Sequence, residues 1–246
     1  RENIMFPSVQ QPVLTRGLLH RRMTMTKDFF DTGITWSNSL NVAQMLDKSS
    51  YSISLGNTHQ DGIISSTGMD RYNVKVSADT KLTNNWSSGF TANYITTSID
   101  KAVTSGNGLL RTVYAAPPSY DLAGIPSHVD GNQYTQNSFR GSFDNAYWAM
   151  DNNKFTEDTN RFFGNVYASY QTDFGTTNHK LNAKYMVGVD AYTTHYVDSY
   201  GYGSNTGGGR GQIENYGWTN ATYNSLLTIN YDWHINEDWG LKRRIG

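Results

Sequence analysis

Apolar and polar side chains alternate along this chain in seven segments. In 50–56, Tyr51, Ile53 and Leu55 point one way and Ser50, Ser52, Ser54 and Gly56 the other, the period of two that a pleated strand imposes. The segment 34–43 places Ile34, Trp36, Leu40 and Val42 on one face with Asn38 as the exception. Further on, 71–82 sets Tyr72, Val74, Val76 and Ala78 against Asn73, Lys75, Ser77 and Asp79, and 86–98 sets Trp86, Phe90, Ala92 and Tyr94 against Ser87, Gly89, Thr91 and Asn93. Alternation resumes in 161–171, where Phe162, Val166 and Tyr170 oppose Asn165 and Tyr167. It continues in 180–191, where Tyr185, Val187 and Val189 oppose Lys184 and Asp190, and returns in 223–233.

The connections decide what such strands build. Asp47-Lys48-Ser49, Thr83-Asn84-Asn85, 173–178 and Asn236-Glu237-Asp238 are short, whereas 99–160 and 195–220 are long and rich in Gly, Asn and Asp. Short turns on one side and extended loops on the other are the habit of bacterial outer-membrane barrels. Trp86, Tyr170 and Trp233 flank short turns on the apolar face, where an interfacial aromatic girdle would lie. A soluble Greek-key protein also alternates its faces and carries long loops. Against it, the segments reach the roughly 9 to 11 residues of a tilted membrane strand, and Lys, Asn and Ser recur on the polar face as in a wet lining. The expected fold is therefore all-β, an antiparallel up-and-down transmembrane β-barrel fragment of about seven strands. Lys75, Asp79, Asn93, Asn165, Lys184 and Asp190 are its lumen-facing candidates.

Composition narrows function. The 246 residues carry a formal charge of −1 and no cysteine, so a phosphate-binding basic surface, thiol chemistry and disulfides drop out and no nucleic-acid partner is expected. Tyrosine dominates the aromatics, 17 against 10 Phe and 6 Trp, which suits interfaces more than dry cores. No apolar run is long enough for a spanning helix. Leu18 and Leu19 run straight into His20, Arg21 and Arg22, which leaves no apolar core for an export signal.

No constellation announces catalysis, and neither enzyme activity, a cofactor nor a metal site is expected. His59, His128, His179, His195 and His234 are scattered among loops and strand ends. Asp121, Asp130, Asp144, Asp151 and Asp158 have no spacing that selects calcium binding or paired carboxylates over solvation. Gly207-Gly208-Gly209-Arg210-Gly211 lacks the strand-to-helix setting of a phosphate cradle. In the long loop, Tyr114, Tyr120, Tyr134, Phe143, Tyr147 and Trp148, together with Arg140, form a mixture that could stack on sugars or peptide side chains, or equally fold the loop on itself.

Several runs resemble the SusC/RagA-like branch of TonB-dependent outer-membrane transporters. They include Ser54-Leu55-Gly56-Asn57-Thr58-His59-Gln60-Asp61-Gly62-Ile63-Ile64, Thr67-Gly68-Met69-Asp70-Arg71-Tyr72, Phe143-Asp144-Asn145-Ala146-Tyr147-Trp148 and Ile235-Asn236-Glu237-Asp238-Trp239. With them, in order, come 97–101, 114–122, 138–141, 151–155 and 161–165. The resemblance implies a large plugged barrel in the bacterial outer membrane that imports oligosaccharide or peptide fragments through the lipid bilayer. It also implies a SusD-like surface lipoprotein as lid, and energy from TonB through an N-terminal region outside this sequence. The expectation is an internal barrel section over 29–241, with loops at about 99–160 and 195–220, an unassigned segment 1–28 and an interrupted strand at 242–246. The alternative is a secreted carbohydrate-binding or adhesin β domain.

Overall fold

The structure, a computed structural model, describes residues 28–103, 108–117, 119–176, 178–234 and 239–245. The expected segment 1–28, all but its last residue, and the turn Asn236-Glu237-Asp238 lie outside them. Eight strands form one antiparallel sheet in simple chain order: β1 (Thr35–Met45), β2 (Ser49–Asp61), β3 (Gly68–Lys81), β4 (Trp86–Lys101), β5 (Lys154–Thr172), β6 (His179–Tyr200), β7 (Gln212–His234) and β8 (Gly240–Ile245). The sheet does not close on itself, so β1 and β8 are its edges. Among the described residues no helix is long and apolar enough to cross a membrane, which says nothing of strands. The chain divides into two compact units. One is this sheet; the other gathers the described residues among Arg1–Thr32, Ala102–Asn153 and Tyr200–Gly211.

Register explains why the sheet has two distinct faces. Leu40 pairs with Leu55, Leu55 with Val74, Val74 with Tyr94, Tyr94 with Phe162 and Phe162 with Ala191. Two residues further along, Val42, Ile53, Val76, Ala92, Gly164 and Val189 form the next row. A one-residue slip anywhere would turn a whole strand over. The large side chains of these rows stand exposed: Leu40 is 58% exposed, Val42 60% and Phe162 44%.

The apolar rows form a band with defined ends. On β4 and β5 it runs from the paired Trp86 and Tyr170, whose rings lie 5.0 Å apart, to Tyr94 and Phe162. That is about 26 Å at the usual rise per residue. One row beyond, the same face turns polar: Asn38 donates from Nδ2 to Asn57 Oδ1 at 2.9 Å, and the Tyr94 hydroxyl reaches Asn160 Oδ1 at 3.1 Å. Asn38, the exception to the alternation of β1, lies in that row, and Trp36 beyond it is again apolar and 67% exposed.

Several strands outrun the pattern that predicts them. β4 continues to Lys101, β5 begins at Lys154, β6 reaches Tyr200 and β7 begins at Gln212, so the loops are 102–153 and 201–211, shorter than the expected 99–160 and 195–220. The reason is chemical. Beyond the band the apolar rows stop, and hydrogen bonds between side chains join ring contacts such as Tyr196 on Tyr216 in holding the pairs. Ser98 donates to Asp158 at 2.6 Å, while Thr159 meets Thr194 at 3.0 Å and Thr193 meets Thr219 at 3.1 Å. The edge strand β8, expected only as an interrupted start, pairs with β7 from Ile229–Ile245 to His234–Gly240.

The short turns are built by local chemistry. At 173–176, Phe174 and Gly175 both have positive φ (56° and 74°) and the Thr176 N–H closes onto Asp173 O at 3.0 Å, the signature of a mirror-image hairpin turn. At the β3–β4 turn, Thr83 Oγ1 accepts from the backbone of Asn85 and Trp86 at 3.2 and 3.0 Å.

The second unit folds around its own core. Helix α1 (Leu109–Ala115) and helix α2 (Ala146–Asn152) contribute Leu109, Val113, Trp148 and Ala149, joined by Phe29, Leu122 and Phe143. Asn145 caps α2, accepting from the backbone N–H groups of Tyr147 and Trp148 at 3.0 and 3.2 Å. Gly203 has a φ of +98°, and a Cβ there would collide with the Tyr134 carbonyl. Gly203→Ala is expected to lower the melting temperature of this unit by several degrees, with about 1 to 3 kcal/mol lost to strain. Calorimetry of the purified variant checks this, and an unchanged transition would refute it.

Candidate functional site

Each unit offers surfaces with chemistry, and each is taken by itself. On the sheet, all six lumen-facing candidates lie on the face opposite the apolar rows. Lys75 pairs with Asn93, Asn93 with Phe163, and Phe163 with Asp190; Asp79 pairs with Gly89 and Gly89 with Tyr167; Asn165 lies between Thr91 and Gly188; Lys184 pairs with Ser169.

Much of the charge on this face is matched. Arg161 grips Asp190 in a fork, Nε to Oδ1 at 2.8 Å and a terminal nitrogen to Oδ2 at 2.5 Å. Lys101 bonds Glu157 at 3.2 Å and sits 4.4 Å from the centre of the Tyr196 ring. The Tyr167 hydroxyl donates to Asp79 at 2.6 Å, and Lys184 lies 3.9 Å over the Tyr167 ring. The face is polar and charged, yet nearly neutral in sum over these groups.

Near the short turns, a hollow of about 600 Å³ opens on the sheet, lined by Asn84, Asn85, Gln171, Lys180, Asn182 and Asp232 among others. Its amides are partly used by the fold, since Asn85 donates from Nδ2 to Gln171 O at 2.7 Å.

In the second unit the seven loop candidates separate. Trp148 is fully buried, with its indole nitrogen donating to Gln133 O at 2.9 Å, and Phe143 is 3% exposed between the guanidinium of Arg111 and the ring of Phe139. Both rings hold the unit together and are closed to any ligand. Tyr147 packs edge-on against Phe29, and Tyr120 lies against Phe139. Burial raises the pKa of both phenols, and for Tyr147 the carboxylates of Asp28, Asp31 and Asp121 add to the effect, so both remain hydrogen-bond donors. Tyr114 and Tyr134 stay more than half exposed, and Arg140 is exposed with its guanidinium 5.2 Å from the Phe143 ring.

The loop carboxylate that matters is one of the five aspartates whose spacing selected nothing. Asp144 is 4% exposed and accepts four hydrogen bonds: from Gln136 Nε2 at 2.7 Å, Ser204 Oγ at 2.6 Å, and the Asn205 backbone and side chain at 2.7 and 2.8 Å. It fastens 201–211 to the rest of the unit. Among the described residues no group of three or more His, Cys, Asp or Glu could hold a metal. His59 is engaged by Asp70 at 2.7 Å and Asp61 at 3.3 Å.

Sequence reasoning missed an aromatic cluster on the polar face. Tyr196 stacks on Tyr216 at 5.0 Å and 9°, and Trp218 lies 5.1 Å from Tyr196. It was hidden because 195–220 reads as a Gly-rich excursion; the alternation of Glu214, Tyr216, Trp218 and Asn220 with smaller residues was the available signal.

No model of a known protein family matches this chain, and neither does any curated protein. Solved structures do. A chain of the RagAB peptide importer, in a closed-closed state, superposes with a TM-score of 0.69 over 87% of this chain and 24% of its own length, at 16% identity. A chain of the RagAB peptide transporter gives 0.51, covering 84% of this chain and 31% of its own length, at 13% identity. At these identities the likeness is one of fold, and this chain spans less than a third of either solved chain.

Proposed function

We propose that this chain forms part of the wall of an outer-membrane importer of the SusC-like class. It takes up oligosaccharide or peptide fragments and has no catalysis of its own. The observation that carries the reading is the apolar band, in register from β1 to β6, exposed, and bounded by paired aromatics at one end and a hydrogen-bonded polar row at the other. A lipid bilayer is the solvent that such a band fits, and water is not, because a contiguous apolar surface of this size drives aggregation. The open edges β1 and β8 then pair with further strands of a barrel, as closure requires. The likeness to chains of a peptide importer supports transport. A SusD-like surface lipoprotein acting as lid and TonB-supplied energy complete the proposal.

Cysteine labelling tests it directly, because the chain has no cysteine of its own. Single cysteines are placed at positions 72 to 79 on β3 and exposed to a membrane-impermeant maleimide in intact outer membranes. Lys75→Cys and Asp79→Cys are expected to react, and Val74→Cys and Val76→Cys to be protected until detergent is added. Uniform labelling without detergent would rule out a lipid-covered face and favour the secreted β domain.

A further inference from the structure

We propose that the polar face of the sheet carries a subsite for a neutral pyranose ring, built on Tyr196, Tyr216 and Trp218 at the β6–β7 pair. The inference rests on the importer reading above and names the substrate class that this part of the wall receives.

Three observations converge. The first is a fixed aromatic platform. Tyr196 and Tyr216 are nearly parallel, the Tyr216 hydroxyl donates to Asp198 at 3.1 Å, and Lys101 sits over Tyr196, so the rings are held before any ligand arrives. Trp218, tilted 38° against Tyr196, is still 50% exposed and Tyr216 44%. Flat apolar ring faces of this kind cover the C–H face of a sugar while leaving its hydroxyl rim to polar groups.

The second is the row of side chains beside the platform. From Trp218 the same face of β7 carries Asn220, Thr222, Asn224, Leu226 and Thr228, with no ionisable group. Amides and hydroxyls both donate and accept, which matches the dual character of sugar hydroxyls. Asn224 is set against β6 where Gly188 leaves room: a Cβ on Gly188 would meet the Asn224 amide.

The third is charge. Lys101 is matched with Glu157 and Arg161 with Asp190, while Asp198 and Glu214 beside the platform accept from neutral donors, Tyr216 and Gln212. An acidic sugar or a peptide carboxylate would be repelled by these two carboxylates. A neutral ring meets no such penalty, so the wall favours it over an anion.

The test uses the full-length protein extracted in detergent from its own outer membrane, titrated calorimetrically with three probe sets. These are neutral oligomers of glucose, mannose and xylose; oligogalacturonides; and a tryptic peptide digest. At least one neutral set is expected to bind. Trp218→Ala should then weaken that binding by about tenfold or more, with Trp218→Phe losing much less. The pair Asn220→Leu with Thr222→Val should weaken it while leaving the rings in place, which covers the case in which Trp218→Ala fails to fold. Preference for oligogalacturonides or peptides, unchanged affinity in both the Trp218→Ala and the Asn220→Leu/Thr222→Val proteins, or no binding by any probe would overturn the subsite. Resistance of the same preparation to alkaline extraction from membranes is measured alongside. Release into the alkaline supernatant would overturn the importer reading itself, whereas retention without neutral-sugar binding would overturn only the subsite.

Discussion

Val166→Arg is expected to keep the protein out of the membrane. Val166 lies mid-band on β5, paired with Phe90 on one side and Val187 on the other. An arginine at the bilayer midplane of a barrel costs about 2 to 4 kcal/mol, a large part of the stability of an ordinary domain. Its neighbour Asn165 points to the other face, beside Thr91 and Gly188. Asn165→Arg should change stability by no more than about 0.5 kcal/mol, as substitutions at polar surfaces do. The pair differs by one position and by one face. Heat-modifiable migration on gels and urea unfolding in phospholipid vesicles read the difference. Equal behaviour of the two variants would mean that the apolar band does not meet lipid.

Asp144→Ala is expected to open the second unit. Four donors converge on this buried carboxylate, and truncation leaves buried N–H and O–H groups unsatisfied at about 1 to 3 kcal/mol each. The combined loss should be several kcal/mol, with 201–211 becoming sensitive to proteinase K. Asp144→Asn keeps one carbonyl acceptor but sets its amide N–H groups against donors, so its loss should be intermediate. The order wild type, Asn, Ala in rate of cleavage is the signature. An alanine variant as resistant as the wild type would show that 201–211 is held by something other than Asp144.

The parts of the fold that could be read in advance are those in which one side of a strand is apolar. Tyr72, Val74, Val76 and Ala78 against Asn73, Lys75, Ser77 and Asp79 fix β3 without any partner, because the pattern itself carries the orientation. The strand ends could not be read in this way. Asp158 and Thr159 look like loop residues until register brings Asp158 opposite Ser98 and Thr159 opposite Thr194. Their stabilising contacts are long-range, and periodicity holds no trace of them.

In the candidate site the difficulty was burial. Phe143 and Trp148 sit among polar neighbours in the chain and read as surface aromatics as readily as core. The cap offered by Asn145 to Tyr147 and Trp148 was the local sign of a helix. Which face of that helix would be covered depends on Leu109, Val113 and Leu122, remote in sequence. Asp144 likewise has nothing in its spacing to separate it from the other loop aspartates.

The length of the later strands has an ecological consequence. β5, β6 and β7 run to 19, 22 and 23 residues, about twice what a bilayer crossing uses. In an outer membrane the surplus, bound by ladders of hydroxyls and carboxylates, would stand as an ordered rim in the space where antibodies, bacteriophages and bacteriocins first touch a cell. A rigid rim presents those agents with fixed epitopes. Escape from them would then come through exchange of exposed side chains such as His195 and Asn215, with the backbone hydrogen-bond ladder left intact.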